Sequence, residues 1–419
     1  MPQLLLHKLS SALKTAEISQ NPDQVHRVIV EFNHLGLNRI TNYIQDNSGV
    51  FHKELKLIRG LVVELPYEAI QAMTISNHVR RIWKDRRVQV LLDLSVPVIG
   101  GTKAFESGYK GKGTTAAVID TGIHPHTDLT SPENRIVGWL DLVNQRTAPY
   151  DDNGHGTHVA GIIAGNGSSS SGYYQGVAPE ANLVGVKALD QAGSGNTSDI
   201  ITALEWCVDH QTEYNIKAIN LSLGSEAQES SGADPLCRAV NAVWNRGIVV
   251  CAAAGNSGPN ERSISSPGIT PSIITVGNLD TRRTLKVEDD QVAESSSRGP
   301  TIDNYLKPDL LAPGTSINSL RVPMGYRALT GTSMATPFAT GVALLYQQKN
   351  SKMRPDEVKR AMVQGARSLN MEAVMQGAGA LDVSEYFTEK NQSSKGKTLS
   401  KTQLSQLAFV LLFPMALGF

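Results

Sequence analysis

The sequence predicts an α/β fold in which a mostly parallel sheet is flanked by helices, preceded by a small α+β module. Between residues 93 and 387, short apolar strands end in Gly-rich turns and alternate with helical stretches. Strands that are apolar on both faces are typical of parallel sheets covered by helices on both sides. Before this region, residues 24–92 alternate strand and helix signals in the order β-α-β-α-β, which predicts a separate small module.

In the small module, VHRVIVEF predicts a strand, NRITNYIQDN a helix and LKLIRGLVVELP a strand broken at Gly60. A second helix is predicted at YEAIQAMTIS and a last strand at RRVQVLLDL. The first residues, MPQLLLHKLSSALKTAEI, favour an amphipathic helix over a secretion signal, because they lack a basic leader followed by a long apolar stretch and a small-residue cleavage site. We therefore divide the chain into an N-terminal extension with the α+β module (1–92), a large α/β domain (93–387) and a polar linker with a short apolar tail (388–419).

In the large domain, the predicted strands are TTAAVIDTG, ANLVGVKAL, AINLSLG, IVVCAAAGN and SIITVG. The predicted helices include NTSDIITALEWCVDH and PLCRAVNAVWNRG. In sheets of this kind the ligand site lies beyond the carboxyl ends of the strands. Candidate catalytic residues should therefore follow strand ends.

Composition excludes several function classes. Lys plus Arg and Asp plus Glu are both 39, so no net charge favours nucleic acid, and no nucleic-acid partner is expected. The three cysteines are an odd number, which argues against a disulfide framework and for a reducing, cytoplasmic location; export by an unconventional route stays an alternative. The tail LAFVLLFPMALGF is too short to span a bilayer as a helix, which leaves packing on the protein surface, peripheral membrane contact or disorder.

Three side chains have the sequence contexts expected of a catalytic triad. Asp120 ends the strand AVID before a Thr-Gly turn, His155 precedes the helical run HGTHVAGI, and Ser333 begins a long helix in GTSMATPFATGVALL. A serine hydroxyl is a poor nucleophile unless a base takes its proton and a carboxylate orients that base. The chain order Asp, His, Ser is one known solution to this geometry.

Asn256 is the fourth candidate. It follows a strand end and a glycine in VVCAAAGNSG, so its amide can face the same cleft. With the backbone N–H of Ser333 at a helix start, it would donate a hydrogen bond to a developing oxyanion.

The remaining histidines of these segments are assigned structural roles. His158 is predicted to pack or to make a hydrogen bond one helical turn from His155, and His124 and His126 are predicted to lie in a surface loop. No zinc-ligand spacing joins them, so no metal and no cofactor is expected to take part in the chemistry.

Four segments, VIDTGI, HGTHVAG, AAAGN and GTSMATP, resemble the signature segments of the subtilisin (S8) family of serine proteases. NQRTAPYDDNGHGTH, QGVAPEANLVGVKALD and SSRGPT are most similar to the intracellular AprX-like alkaline proteases of bacilli. The resemblance implies a serine endopeptidase that forms an acyl-enzyme intermediate on protein and peptide substrates. It gives Asp120, His155, Ser333 and Asn256 the roles of orienting acid, base, nucleophile and oxyanion donor.

The resemblance also implies that substrate binds as an added β-strand between two backbone segments. The matching residues are Gly193, Ser194, Gly195, Ser222, Leu223 and Gly224. The alternative is that these glycines serve only their own loops. The first specificity pocket is assigned to Ala253, Ala254, Gly255 and the stretch 265–268, which contain no charge. Broad specificity with an apolar and aromatic preference at that pocket is therefore expected.

Calcium is where the chain departs from secreted members of the family. Asp128 matches one side-chain ligand of their tight site, but Ser170 stands where the loop asparagine would be and Leu94 aligns with the N-terminal amide. Ca²⁺ needs six to eight oxygen ligands. We expect this structural site to be weak or absent, while a calcium site elsewhere stays open.

Relatives of this kind carry a small propeptide that assists folding and inhibits the enzyme. The 24–92 module has the size, position and element order for that part, which predicts a zymogen that cleaves itself between about Arg87 and Ser95. A permanently attached domain is the alternative. Two other functions are alternatives: a catalytically inactive scaffold of the same fold, and a lipase-type hydrolase. The complete triad argues against the first, and Ala335 in place of the second glycine of G-x-S-x-G argues against the second.

Overall fold

The computed structural model describes residues 5–10, 13–14, 23–33, 36–85 and 95–388, and the chain divides into two compact units, 1–90 and 91–419. The predicted strand at 86–94 and nearly all of the tail from 388 lie outside the described residues, as does most of the predicted N-terminal helix, of which a short 3₁₀ turn at Leu6–Lys8 is described. Within the described part, no helix is both long and apolar enough to cross a lipid bilayer.

In its described residues, the first unit is a four-stranded antiparallel sheet with two α-helices. Its elements are β1 (Val25–Phe32), α1 (Leu37–Asp46), β2 (Val50–Leu55), β3 (Gly60–Pro66), α2 (Tyr67–Met73) and β4 (Val79–Lys84). The strand order is β2-β3-β1-β4, and all neighbours are antiparallel. Alternate residues of β1 are buried, so one face of the sheet forms a core with apolar residues of both helices.

The observed order β-α-β-β-α-β, typical of ferredoxin-like modules, corrects the prediction of three strands. β2 (VFHKEL) was missed because it lies at the sheet edge with almost every residue exposed, so it has no apolar alternation. β4 (VRRIWK) was missed because charged residues interrupt its few apolar positions.

The second unit is built on an eight-stranded sheet. Its strands are β5 (Thr115–Asp120), β6 (Ile136–Asp141), β7 (Asn182–Lys187), β8 (Ile216–Leu221), β9 (Val249–Ala253), β10 (Ile274–Asp280), β11 (Gln291–Val292) and β12 (Leu310–Pro313). The order is β11-β10-β9-β8-β5-β7-β6, with β12 also paired to β10. Every pair is parallel except that of β10 with β11. The α/β class predicted from the sequence is confirmed.

Helices flank this sheet, and a separate hairpin follows it. The helices are α3 (Ser95–Val98), α4 (Gly101–Glu106), α5 (Thr127–Thr130), α6 (His155–Ala164), α7 (Thr197–Asp209), α8 (Gln211–Tyr214), α9 (Pro235–Asn245), α10 (Thr332–Lys349), α11 (Pro355–Gly365), α12 (Ala373–Gln376) and α13 (Ser384–Thr388). The hairpin pairs β13 (Ile317–Leu320) with β14 (Tyr326–Leu329).

Buried helices connect the sheet to the chemistry. α10 packs against α6 and against the central strands β8, β9 and β10, and nearly all of its residues are buried. Small residues in GTSMATPFATG let this helix lie close to the sheet. Because the neighbouring strands β7, β5, β8 and β9 run parallel, their carboxyl ends meet at one edge.

Candidate active site

Asp120 is the last residue of β5 and is completely buried. Its Oδ1 accepts a hydrogen bond of 2.7 Å from the backbone N–H of Thr121 and lies 2.7 Å from Nδ1 of His155. A buried carboxylate at this distance orients the imidazole and holds the proton on Nδ1. Asp120 therefore stands behind His155 and does not line the cleft itself.

His155 is the first residue of α6, and its side chain is 25% exposed. The next residue must be glycine, because a Cβ on Gly156 would overlap the carbonyl oxygen of Gly122. This contact brings the helix start against the end of β5. Burial lowers the pKa of His155, but the charge and hydrogen bond of Asp120 outweigh burial, so the pKa lies above its ordinary 6.5.

Asp151 was missed from the sequence, and it holds the segment around His155. Its Oδ1 accepts hydrogen bonds from the Thr121 hydroxyl (2.9 Å) and the Gly154 N–H (2.7 Å). Its Oδ2 accepts from both the N–H and the hydroxyl of Thr157, at 2.9 and 2.7 Å. The buried carboxylate therefore joins the end of β5 to the start of α6. Its charge also contributes to the raised pKa of His155.

Lys187, at the end of β7, is a second residue that the sequence did not reveal. Its side chain is completely buried, and Nζ donates to the carbonyls of Thr121 (2.8 Å) and Leu189 (2.9 Å) and pairs with Asp152 at 2.6 Å. One ammonium group thus ties together three segments: the one after Asp120, the one before His155 and the one that leads to Gly193–Gly195.

Ser333 is the second residue of α10, where the first N–H groups of a helix have no partner within the helix. Its hydroxyl donates to the carbonyl of Ser222 at 3.1 Å, and the Ser222 hydroxyl donates to the Ser333 carbonyl at 2.7 Å. The helix start is thereby fixed to the end of β8.

Asn256 has its amide oriented by the same helix. Its Oδ1 accepts hydrogen bonds from the N–H (2.9 Å) and the hydroxyl (3.2 Å) of Thr332. With the oxygen engaged, Nδ2 is left as the donor of the amide. Asn256 is exposed and lines the same cleft as Ser333 and His155.

The cleft has a volume of about 700 Å³. Of the residues predicted to bind substrate, eight line it: Gly193, Ser194, Gly195, Ser222, Leu223, Gly224, Ala253 and Gly255. Ala254 does not, and its assignment is corrected: it is fully buried in an apolar cluster with Cys237, Ile264 and Ile269. The cause is strand geometry, since neighbouring residues of an extended segment point to opposite faces.

Glu226 also lines the cleft and was not among the residues predicted to bind substrate. It lies two residues beyond Gly224 and is exposed. The one sequence signal for it is its place two residues after the assigned segment.

The other histidines differ from each other. His158 is buried and lies 3.1 Å from the carbonyl oxygens of both Ile317 and Arg327, and burial lowers its pKa to about 4, which fits the predicted structural role. His126 is also buried, so its assignment to a surface loop was wrong. Its Nδ1 accepts a hydrogen bond from the Asp128 N–H at the start of α5, so the ring caps this helix.

The residues matched to the calcium site make hydrogen bonds within the protein. Both carboxylate oxygens of Asp128 already accept hydrogen bonds: Oδ1 from Ser168 and Ser169, and Oδ2 from the Tyr326 hydroxyl at 2.6 Å. Ser170 donates to Gly167 within its own turn. Among the residues that the structure describes, no group of three or more His, Cys, Asp or Glu side chains could hold a metal.

Comparison with known proteins gives the family. The subtilase family model (Peptidase_S8) matches residues 111–380. Serine protease AprX of Bacillus subtilis is 46% identical over 328 residues, which cover 73% of this chain and 74% of that protein. Subtilisin DY of Bacillus licheniformis is 34% identical over 291 residues, which cover 69% of this chain and 96% of that protein.

Solved structures agree with this result. Sphericase superposes with a TM-score of 0.58 at 30% identity and covers 71% of this chain and all (100%) of its own. A cold-adapted subtilisin-like serine proteinase gives a TM-score of 0.53 at 33% identity, over 65% of this chain and 90% of its own. The resemblance stated from the sequence is thus confirmed, and the chain belongs to the subtilase family as a subtilisin-like serine protease that acts on proteins.

Proposed function

We propose that this enzyme is an endopeptidase in which Ser333 attacks the peptide carbonyl, His155 takes and returns the proton, and Asp120 orients His155. The observation that carries the proposal is the contact of 2.7 Å between the buried Asp120 carboxylate and Nδ1 of His155, on the wall of the cleft that Ser333 also lines. The contact leaves Nε2 of His155 as the basic nitrogen, because Nδ1 carries the proton.

In the first step the Ser333 hydroxyl turns from the Ser222 carbonyl toward His155, a rotation about one side-chain bond. Nε2 of His155 accepts the proton while Oγ bonds to the substrate carbonyl carbon. The imidazolium then gives this proton to the leaving amine, and an acyl-enzyme remains. Water attacks the ester by the same route, with His155 again as base, and Ser333 is regenerated.

The oxyanion formed in each addition is proposed to accept hydrogen bonds from the Ser333 N–H and from Nδ2 of Asn256. The first belongs to the start of α10, where the helix dipole also favours negative charge. The second is held in place by the two hydrogen bonds of Thr332 to Oδ1. Asn256→Ala is expected to lower kcat about 10²–10³-fold, the loss known for such a donor in a subtilisin.

Substrate is proposed to bind as a strand between Gly193–Gly195 and Ser222–Gly224, which both line the cleft. The first of these segments is held by Asp190, whose Oδ1 accepts from the N–H groups of Ala192 and Ser194 at 2.8 and 3.0 Å. Main-chain hydrogen bonds of this kind give affinity without sequence selectivity. With Ala253 and Gly255 in the pocket wall, we propose broad specificity with a preference for apolar and aromatic side chains.

The first unit is proposed to act as an intramolecular propeptide that inhibits the enzyme until self-cleavage between about Arg87 and Ser95. Support comes from its own apolar core and its separate sheet. Mass spectrometry of wild type and Ser333→Ala tests this. A shortened N-terminus is expected in wild type alone, and Met1 at the N-terminus of both proteins would refute it.

A cytoplasmic location is proposed from the cysteines. Cys207, Cys237 and Cys251 are free and buried, and burial raises the pKa of each thiol, so none is prepared for redox chemistry. Fractionation of cells followed by immunoblotting would test the location, and recovery of the protein from the medium of intact cells would contradict it.

The catalytic proposal is tested by phosphonyl-fluoride labelling and casein hydrolysis with processed wild type, Ser333→Ala and Asp120→Asn. Wild type should be labelled at Ser333 and should hydrolyse casein. Ser333→Ala should do neither, and Asp120→Asn should lose about 10⁴-fold in kcat. Labelling at another residue, or equal hydrolysis by Ser333→Ala, would refute the assignment.

A further inference from the structure

The cleft contains one acidic side chain that the proposed chemistry does not use. Among the described residues that line it, Glu226 is the one carboxylate, and none is Lys or Arg. His155 is the other titratable lining residue, and its role is already assigned. A cation that enters the cleft therefore meets one negative charge and no fixed positive charge on its walls.

The backbone fixes Glu226 beside the first pocket. Ser225 forms an antiparallel bridge with Ser266, with N···O distances of 3.0 and 2.9 Å in the two directions. Ala227, on the other side of Glu226, packs against the apolar cluster that contains Ala254. Glu226 is thus held between two anchored neighbours, and it is an exposed residue of the cleft wall.

The surrounding segments place this wall beside the segment that is proposed to pair with substrate. A Cβ on Gly224 would come within 3.1 Å of Cβ of Ser265, and one on Gly255 would overlap the Ser265 hydroxyl. The segments around Gly224, Gly255 and Ser265 therefore meet closely. Ser265 lines the cleft as well. Glu226 continues directly from the segment Ser222–Gly224 that is proposed to pair with the substrate upstream of the cleaved bond.

We propose that Glu226 is a specificity-determining residue that makes this enzyme favour a Lys or Arg side chain at a position upstream of the cleaved bond. The inference rests on the proposed binding of substrate along Ser222–Gly224. The long stem of Lys or Arg can lie on the apolar wall while its charged end reaches the carboxylate. An exposed pair of this kind changes binding only modestly, so the expected effect is about two- to fivefold in kcat/KM.

The test uses quenched fluorescent peptides with an otherwise uncharged sequence and Gln, Lys or Glu at each of the first four upstream positions. Processed wild type, Glu226→Gln and Glu226→Lys are compared. The ratio of kcat/KM for the Lys peptide to that for the Gln peptide should be about two- to fivefold higher in wild type than in Glu226→Gln at one or more positions. Glu226→Lys should favour the Glu peptide instead. The preference should shrink at 1 M salt, where the screening length is about 3 Å.

Glu229→Gln is the matched control, because Glu229 is exposed on the same loop and does not line the cleft. It should keep the wild-type ratios. The inference would be refuted if the ratio of kcat/KM for the Lys peptide to that for the Gln peptide were equal in wild type and Glu226→Gln at all four positions. In that case, cleavage of the Gln peptides would still support the proposed function. Failure of processed wild type to cleave any peptide above the level of Ser333→Ala would instead refute the proposed function.

Discussion

A buried cluster of two lysines and one aspartate is predicted to make the stability of the second unit dependent on pH. Nζ of Lys307 lies 2.6 Å from Oδ2 of Asp309, and Nζ of Lys359 lies 2.9 Å from Oδ1. No side chain of the three is more than 4% exposed. Both ammonium groups also donate to the carbonyl of Ile273, and the Thr275 N–H donates to Asp309. Two positive charges thus share one buried negative charge.

Removal of the shared carboxylate should be severe. Asp309→Ala leaves two buried ammonium groups without a counter-ion, which is expected to lower the free energy of unfolding by about 3–5 kcal/mol. This corresponds to a fall in Tm of about 10 °C for a unit of this size. The measurement is urea unfolding in the Ser333→Ala background, which prevents autolysis. Glu205→Ala, an exposed helical carboxylate, is the control and should change stability by less than about 0.5 kcal/mol.

The same cluster predicts the sign of a pH effect. Burial is the largest influence and lowers the pKa of Lys307 to about 7, despite the attraction of Asp309. An unfolded lysine titrates near 10.4. Between these values the unfolded chain holds a proton that the folded chain has released, so the contribution of Lys307 to the free energy of unfolding rises with pH from about 7 to 10. Lys307→Met removes this rise and should match or exceed the stability of its parent at pH 6.

Two outcomes would refute this reasoning. One is an Asp309→Ala protein that unfolds at the same urea concentration as Glu205→Ala. The other is an equal dependence of stability on pH with and without Lys307→Met. The comparison with Lys307→Met is required because the cysteine thiols of the unfolded chain also lose their protons in this pH range, and those groups are unchanged by the substitution.

Three further predictions concern the active site and its neighbours. Asp151→Asn removes a charge that raises the pKa of His155, so the acid limb of kcat/KM should move to lower pH; an unmoved limb on an uncharged peptide would contradict this. Lys187→Met removes the ammonium group that joins three segments of the site and should lower kcat/KM at least about tenfold. Lys110→Met loses only an exposed pair with Glu180 and should keep the wild-type kcat/KM. Equal kcat/KM values for the two variants would argue against the role of Lys187. Tyr326→Phe leaves an oxygen of Asp128 without its donor and should lower the free energy of unfolding in urea by about 1–3 kcal/mol. Replacing EGTA with calcium should leave the Tm of wild type unchanged. A Tm that depends on calcium would contradict the expected weak calcium site.

The positions of Asp120, His155 and Ser333 were predictable because each stands at the junction of two elements with distinct local signals. An apolar strand that ends in a carboxylate, or a glycine that precedes a helix of small residues, can be recognised within ten residues of sequence. Parallel pairing of β5 with β7 and β8 then brings such junctions to one edge of the sheet. Local pattern and sheet topology were sufficient for this part of the fold.

Asp151 and Lys187 could not be found in the same way, because their roles depend on tertiary contacts. Lysine is almost never fully buried, so nothing in the sequence at the end of β7 indicates a buried ammonium group. Its burial follows from the convergence of the Thr121 and Leu189 carbonyls, which no local pattern reports. Ala254 was misassigned for the opposite reason: its neighbours line the cleft, but the alternation of an extended segment turns its side chain into the core.

Asp128 shows that calcium binding at a family metal site depends on the contacts around a ligand as well as on whether the ligand is retained. Sequence comparison asks whether each ligand is retained, and Asp128 is. In the fold, however, its two oxygens accept hydrogen bonds from Ser168, Ser169 and Tyr326, the last 198 residues away in sequence. A cation would have to displace these donors, and hydrogen bonds to a charged group are worth about 1.5–3 kcal/mol each. The hydrogen bonds to the retained carboxylate therefore support a weak calcium site, because protein donors already supply the stabilisation that calcium would bring.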